Sequence, residues 1–184
     1  MLTKTLSLAL VLISTSSFAA EIDGINFSET QKLGTKDLVL NGVGLRQATI
    51  FKIKAYAGAL YLEKKNSNGE AISKSPEDKI IVMNFLREVD QKKIKETYLE
   101  SFENNCETNC AAVKPAFEQM IASFSDMKKA DILKFEFSGK KLTAFQNGVQ
   151  KFQTEVPDYQ EAILKLYLGK KPTDKDLQKG LLGL

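Results

Sequence analysis

Arg46 and Tyr56 are the two side chains in this sequence best suited to act on a ligand. Arg46 stands in an apolar, strand-like stretch, GVGLRQATIF. A guanidinium in such surroundings needs an anion, and a carboxylate that accepts two parallel N–H bonds is its best partner. Tyr56 offers a phenol that can donate a second hydrogen bond or a proton. A plainer reading stands beside this one: Arg46 pairs with an internal acid or reaches solvent, and Tyr56 is packing. If residues 46 to 56 ran straight they would span about 33 Å, at ~3.3 Å per residue. The two side chains meet only if the chain turns between them, and no Gly or Pro stands there to mark a turn.

The chemistry open to the rest of the chain is narrow. There is no histidine among the 184 residues. This excludes Ser-His-Asp and Cys-His catalysis and every His-containing metal site. No metal or cofactor is expected. Lys, Tyr, Arg and carboxylates remain as chemical groups. The two cysteines, Cys106 and Cys110, lie in NNCETNC. In an oxidising compartment such a pair is expected to close a disulfide. A redox-active pair is the sharper alternative, but the spacing is CxxxC rather than CxxC. The 26 Lys and Arg nearly balance the 23 Asp and Glu. Both signs are spread along the chain, so no basic stripe points to nucleic acid. The Lys92-Lys93, Lys128-Lys129, Lys140-Lys141 and Lys170-Lys171 pairs read as solvated charges.

The N-terminus carries an export pattern. Lys4 precedes an apolar run from Leu6 to Ile13, followed by small polar residues and Ser17-Phe18-Ala19. That order predicts a signal peptide over residues 1–19, cut after Ala19, and one domain over 20–184. The expected location is the periplasm, with secretion as the alternative. The run is well short of the ~20 residues a membrane span needs, and no later stretch is apolar enough, so no membrane span is expected. A monomer is the expectation.

Periodicity gives the elements that must position Arg46 and Tyr56. Leu38–Leu45 reads as a strand, with Gly42 and Gly44 marking a bulge or a close approach. Residues 51–63 alternate as a second strand, one face apolar throughout and the other passing from charged to apolar. Asn66-Ser67-Asn68-Gly69 is a turn, and Lys79–Arg87 a buried strand. Asp90 is an N-cap for a helix in which Ile94, Tyr98 and Phe102 recur at i, i+4, i+8. The cysteines break the helical pattern. A second helix carries Val113, Phe117, Met120, Ile121 and Phe124. Short strands follow at 132–137, 142–146 and 149–155, the last two joined by Asn147-Gly148, a hairpin signal. Pro157 opens a helix ended by Gly169, and Thr173 caps a last short one. Strands, two helices, strands, two helices: this order predicts an α+β fold, an antiparallel sheet with helices on one face.

The segment GVGLRQATIFKIKAYAGALYLE resembles the chalcone isomerase-like family, in particular its bacterial exported branch. FLREVD at 85–90, KFEFSGKKLTAFQNGVQ at 134–150 and LYLGKKPTDKDLQKGLLG at 166–183 extend the likeness over nearly all of residues 20–184. The resemblance implies an open-faced β-sandwich, a large antiparallel sheet backed by helices. The family holds true isomerases, which cyclise chalcones, and non-catalytic relatives that bind fatty acids through an Arg and a Tyr. Arg46 matches the family's Arg. Tyr56 falls where the isomerases have Thr and the fatty-acid binders Tyr. The isomerases' helical Tyr and Asn, seven residues apart, correspond here to Lys93 and Glu100, with Tyr98 nearby but out of register. That departure argues against chalcone isomerisation.

Three functions follow as expectations. In the first, a fatty acid or similar amphipathic carboxylate pairs with Arg46 and Tyr56, its chain lined by Leu60, Leu62, Tyr98, Phe117 and Phe124. In the second, the protein is an isomerase or lyase of a small unsaturated or enolisable substrate, with Arg46 stabilising an oxyanion and Tyr56 donating a proton. In the third, it is a structural or interaction module without a small ligand.

Overall fold

The computed structural model describes residues 18–48 and 52–184. The chain opens with a hairpin of β1 (Phe18–Ile22) and β2 (Ile25–Ser28), whose turn residues Asp23 and Gly24 both take positive φ. Then come β3 (Thr30–Leu33), β4 (Lys36–Ala48) and β5 (Ile53–Leu62). Helix α1 (Gly69–Lys74) leads to β6 (Lys79–Phe85), and α2 (Gln91–Asn105) and α3 (Cys110–Ala122) follow. The chain closes with β7 (Ile132–Ser138), β8 (Lys141–Gln146), β9 (Val149–Thr154), α4 (Tyr159–Leu168) and α5 (Lys175–Leu181). Strands β3 to β9 form one seven-stranded antiparallel sheet in sequence order. The expected α+β architecture is the one that forms. Most of the signal-peptide segment, residues 1–17, lies outside the described residues, and the cut after Ala19 falls inside β1.

Over β4 to β6 both faces of the sheet are covered, which is why β5 and β6 are apolar on both sides. Along β5, Tyr56, Leu60 and Leu62 join the core beneath the helices, with Phe117, Ile163 and Tyr167. Ala57, Ala59 and Tyr61 face the other way, into a smaller cluster with Phe27, Leu38 and Ile80. The β1–β2 hairpin, signalled in the sequence only by Asp23-Gly24, packs against this second cluster through Ala20, Ile22 and Ile25.

Local signals account for most helix boundaries. The Asp90 carboxylate accepts from Lys93 N at 2.7 Å, and Ile94, Tyr98 and Phe102 are buried, as their spacing requires. Three helix starts differ from expectation. Helix α1 begins at Gly69, where only a turn was expected, and α4 begins at Tyr159 rather than at Pro157. Asp174, not Thr173, caps α5, because its Oδ1 accepts from both Asp176 N (2.8 Å) and Leu177 N (2.9 Å). Cys106 and Cys110 are disulfide-bonded with a Cα–Cα distance of 5.8 Å, linking the end of α2 to the start of α3.

Helix α5 lies directly on β4. A Cβ on Gly44 would sit 2.6 Å from the Leu177 carbonyl oxygen, and one on Gly42 2.1 Å from that of Gly180. On the helix side, a Cβ on Gly180 would meet the Val43 carbonyl oxygen at 2.3 Å. The close approach anticipated at Gly42 and Gly44 is therefore the seat of the last helix.

Two stability predictions follow from this packing. Gly44→Ala should cost about 1–3 kcal/mol through overpacking in urea denaturation. Gly58→Ala, whose Cβ would meet only the tip of Leu177 at 3.1 Å, should cost clearly less; equal losses would show that backbone contact does not set the helix position. Replacing both cysteines by serine should lower stability by about 2 kcal/mol, since a short loop restricts the unfolded chain least. A neutral double mutant would show that the bridge contributes nothing to folding.

Candidate functional site

The turn that Arg46 and Tyr56 need is present. Strands β4 and β5 form an antiparallel hairpin in which Arg46 stands opposite Tyr56, next to a register shift between Arg46 and Gln47. Lys52, just before β5, takes φ +51°, a left-handed conformation uncommon for a non-glycine residue. The straight-strand alternative is excluded, because the register places the two residues side by side across the hairpin.

Both side chains line an open cavity of about 600 Å³, within the ~300–1,000 Å³ range of small-molecule sites. The sheet end supplies apolar lining at Ala55, Tyr56 and Phe85. Helix α2 supplies polar lining at Lys93, Thr97, Glu100 and Ser101, spaced to recur on one helical face. The segments Arg87–Asp90, after β6, and Lys171–Thr173, between α4 and α5, also line it. Lys93 and Glu100, the residues at the isomerase Tyr and Asn positions, thus do border the cavity, with different chemistry.

Arg46 is held from one side. Its Nη1 donates to the carbonyl oxygen of Thr173 and lies 4.0 Å from Asp174 Oδ2. The internal-acid reading is therefore partly realised, at the outer limit of an ion pair. That carboxylate is already engaged by the caps of α5 and by Gln47 N at 3.0 Å. A guanidinium carries five N–H donors; among the described residues only the Thr173 carbonyl accepts from this one within hydrogen-bonding distance.

Burial pushes the Tyr56 phenol up to about 12, an effect the Arg46 charge partly offsets. At neutral pH Tyr56 is therefore a hydrogen-bond donor and not a phenolate. Beneath it, Tyr98 and Tyr167 share a hydrogen bond of 2.5 Å between their hydroxyls, beside the Met83 sulfur. Burial raises both phenols as well. Tyr98 reaches the cavity; Leu60, Leu62, Phe117 and Phe124 do not line it and are closed into the core. The stacking of Phe117 on Phe102 at 4.5 Å shows how tightly that region is filled.

The segment at 171–173 was not foreseen as part of a site. Asn105 on α2 clamps it, donating to Lys171 O at 2.6 Å and accepting from Lys171 N at 3.0 Å. The only local signal there was the Pro172-Thr173-Asp174 run, which reads as a helix start and says nothing of a cavity. Among the described residues no cluster of three or more Cys, Asp or Glu could hold a metal ion, and no helix is long and apolar enough to cross a membrane.

Residues 19–183 match the family model described as chalcone isomerase-like. No curated protein matches. Among solved structures, a fatty-acid binding protein of Arabidopsis thaliana aligns with a TM-score of 0.68 and 14% identity, covering 86% of this chain and 92% of its own. At that identity the likeness is one of fold.

The Tyr56 environment makes a testable claim about alkaline pH. Its folded pKa is raised from 10.0 to about 12, so the native state keeps a proton that the unfolded chain releases. This contribution to stability is complete below pH 10 and is lost as pH climbs through about 12. Tyr56→Phe should flatten the decline in unfolding free energy over that window. Identical slopes for the two proteins would show that the phenol is not held in its neutral form.

Proposed function

This chain belongs to the chalcone isomerase-like family, and we propose that it binds a fatty acid or similar amphipathic carboxylate in the Arg46 cavity, outside the cytoplasm, without converting it. The observation that carries this reading is the registered pair of Arg46 and Tyr56 on the wall of a cavity large enough for a small ligand. A carboxylate there would accept from the guanidinium and from the neutral phenol. Apolar lining at Ala55, Phe85 and Ile94 suits an acyl chain, whose burial contributes about 0.8 kcal/mol per methylene. The fold shared with a plant fatty-acid binding protein supports the same reading.

Catalysis is the weaker reading for a physical reason. A general acid works best with a pKa near the operating pH, and the Tyr56 phenol is raised to about 12. Export through residues 1–19 would place the protein where the Cys106–Cys110 bridge is stable.

Titration with dodecanoate tests the binding. Loss of a charge-assisted hydrogen bond at Arg46→Gln should weaken dodecanoate roughly 10- to 100-fold, leaving dodecanol binding almost unchanged. If the variant binds dodecanoate as the parent does, Arg46 is only a structural tie to Thr173. Mass analysis of protein from the cell envelope should show a chain beginning at Ala20; an intact N-terminus would reject the export assignment.

A further inference from the structure

Among the described residues, the Thr173 hydroxyl is the one buried side-chain polar atom without a hydrogen-bond partner. Buried polar groups are almost always paired, and an unpaired one calls for an explanation. The first amides of α5 are held by Asp174, so the Thr173 hydroxyl has no capping role. Nor can the residue drift into solvent. Its N–H donates to Leu166 O at 2.9 Å, and two residues back Lys171 is gripped by Asn105. Pro172 restricts the segment between them.

Thr173 touches both groups proposed to hold the ligand. The Thr173 carbonyl holds Arg46, and its hydroxyl stands beside the Tyr56 phenol, whose ionisation it favours through a contact that falls short of a full hydrogen bond. Thr173, Arg46 and Tyr56 all line the same cavity. An ionised carboxylate has two oxygens and about four lone-pair sites, all acceptors. A threonine hydroxyl rotates freely enough to donate to one of them.

We propose that Thr173 is a third recognition residue, donating its hydroxyl to the ligand's carboxylate alongside Arg46 and Tyr56. This rests on the reading of the cavity as a carboxylate site and adds a selectivity to it. Three donors converge on the head, so an ionised acid is preferred over an alcohol of the same chain length, which has a single oxygen to offer.

The test compares the parent protein, Thr173→Val and Thr173→Ser, with dodecanoate and dodecanol as probes. Valine keeps the shape and removes the hydroxyl. Without ligand, Thr173→Val should melt at or above the parent temperature, since an unpaired polar group is removed. Its dodecanoate affinity should fall about 5- to 30-fold, with dodecanol affinity unchanged and Thr173→Ser retaining most of the acid binding. If the parent binds dodecanoate and Thr173→Val binds it equally well, the third donor is overturned and the Arg46–Tyr56 reading stands. If Thr173→Val is clearly less stable without ligand, the hydroxyl has an internal partner and the inference also fails. A parent that binds no dodecanoate overturns the carboxylate reading itself, and this inference with it.

Discussion

The seating of α5 on β4 is the contact from which the rest of the site is built. Glycines at 42, 44 and 180 let helix and strand backbones approach to distances that no Cβ would allow. With α5 fixed there, its N-cap Asp174 reaches Gln47 N across the sheet end. The preceding residue, Thr173, then meets the Arg46 guanidinium. One steric condition therefore sets the position of a helix, a cap and a cavity wall. The Asn105 amide secures the far end of the same segment, and Gln178 donates to Gly169 O at 2.7 Å to brace it from α5.

The electrostatics of the cavity follow from what holds Arg46. A carbonyl orients the guanidinium without neutralising it, and Asp174 stands at the limit of pairing distance with its oxygens occupied by amides. The cation therefore keeps both charge and donors for the cavity. Around it are phenols whose burial disfavours ionisation. A guanidinium flanked by a neutral phenol can receive an anion.

The cavity lies at one end of the sheet because the middle is filled. Helix α4 is buried over almost its whole length, from Ala162 to Leu168, as expected of a helix enclosed on all sides. Even Lys165 is enclosed, and it is balanced by Glu107 and Glu161, each at 2.7 Å. Glu107 belongs to the loop closed by the disulfide, so the bridge also keeps a partner near a buried charge. With α5 against β5, the strand's later residues Leu60 and Leu62 are core, and its beginning, at Ile53, Ala55 and Tyr56, lines the cavity.

The sequence by itself determined what depends on neighbours a few residues apart. Strand alternation, the Asp90 cap, the Asn147-Gly148 hairpin and the i, i+4 repeats gave the α+β order, and motif spacing gave the family. Arg46 stood out because a guanidinium in an apolar strand is expensive. Tertiary structure decided the rest. No glycine or proline marked the turn that sets Arg46 against Tyr56, and Lys52 accepts positive φ there instead. Thr173 and Asp174 meet Arg46 and Gln47 across 127 positions of chain, and Leu60, Leu62, Phe117 and Phe124, expected to line a cleft, are closed into the core. Local pattern fixes which face of an element is apolar. Whether that face meets another element or a cavity depends on how distant elements pack, and here glycine contacts between β4 and α5 made that choice.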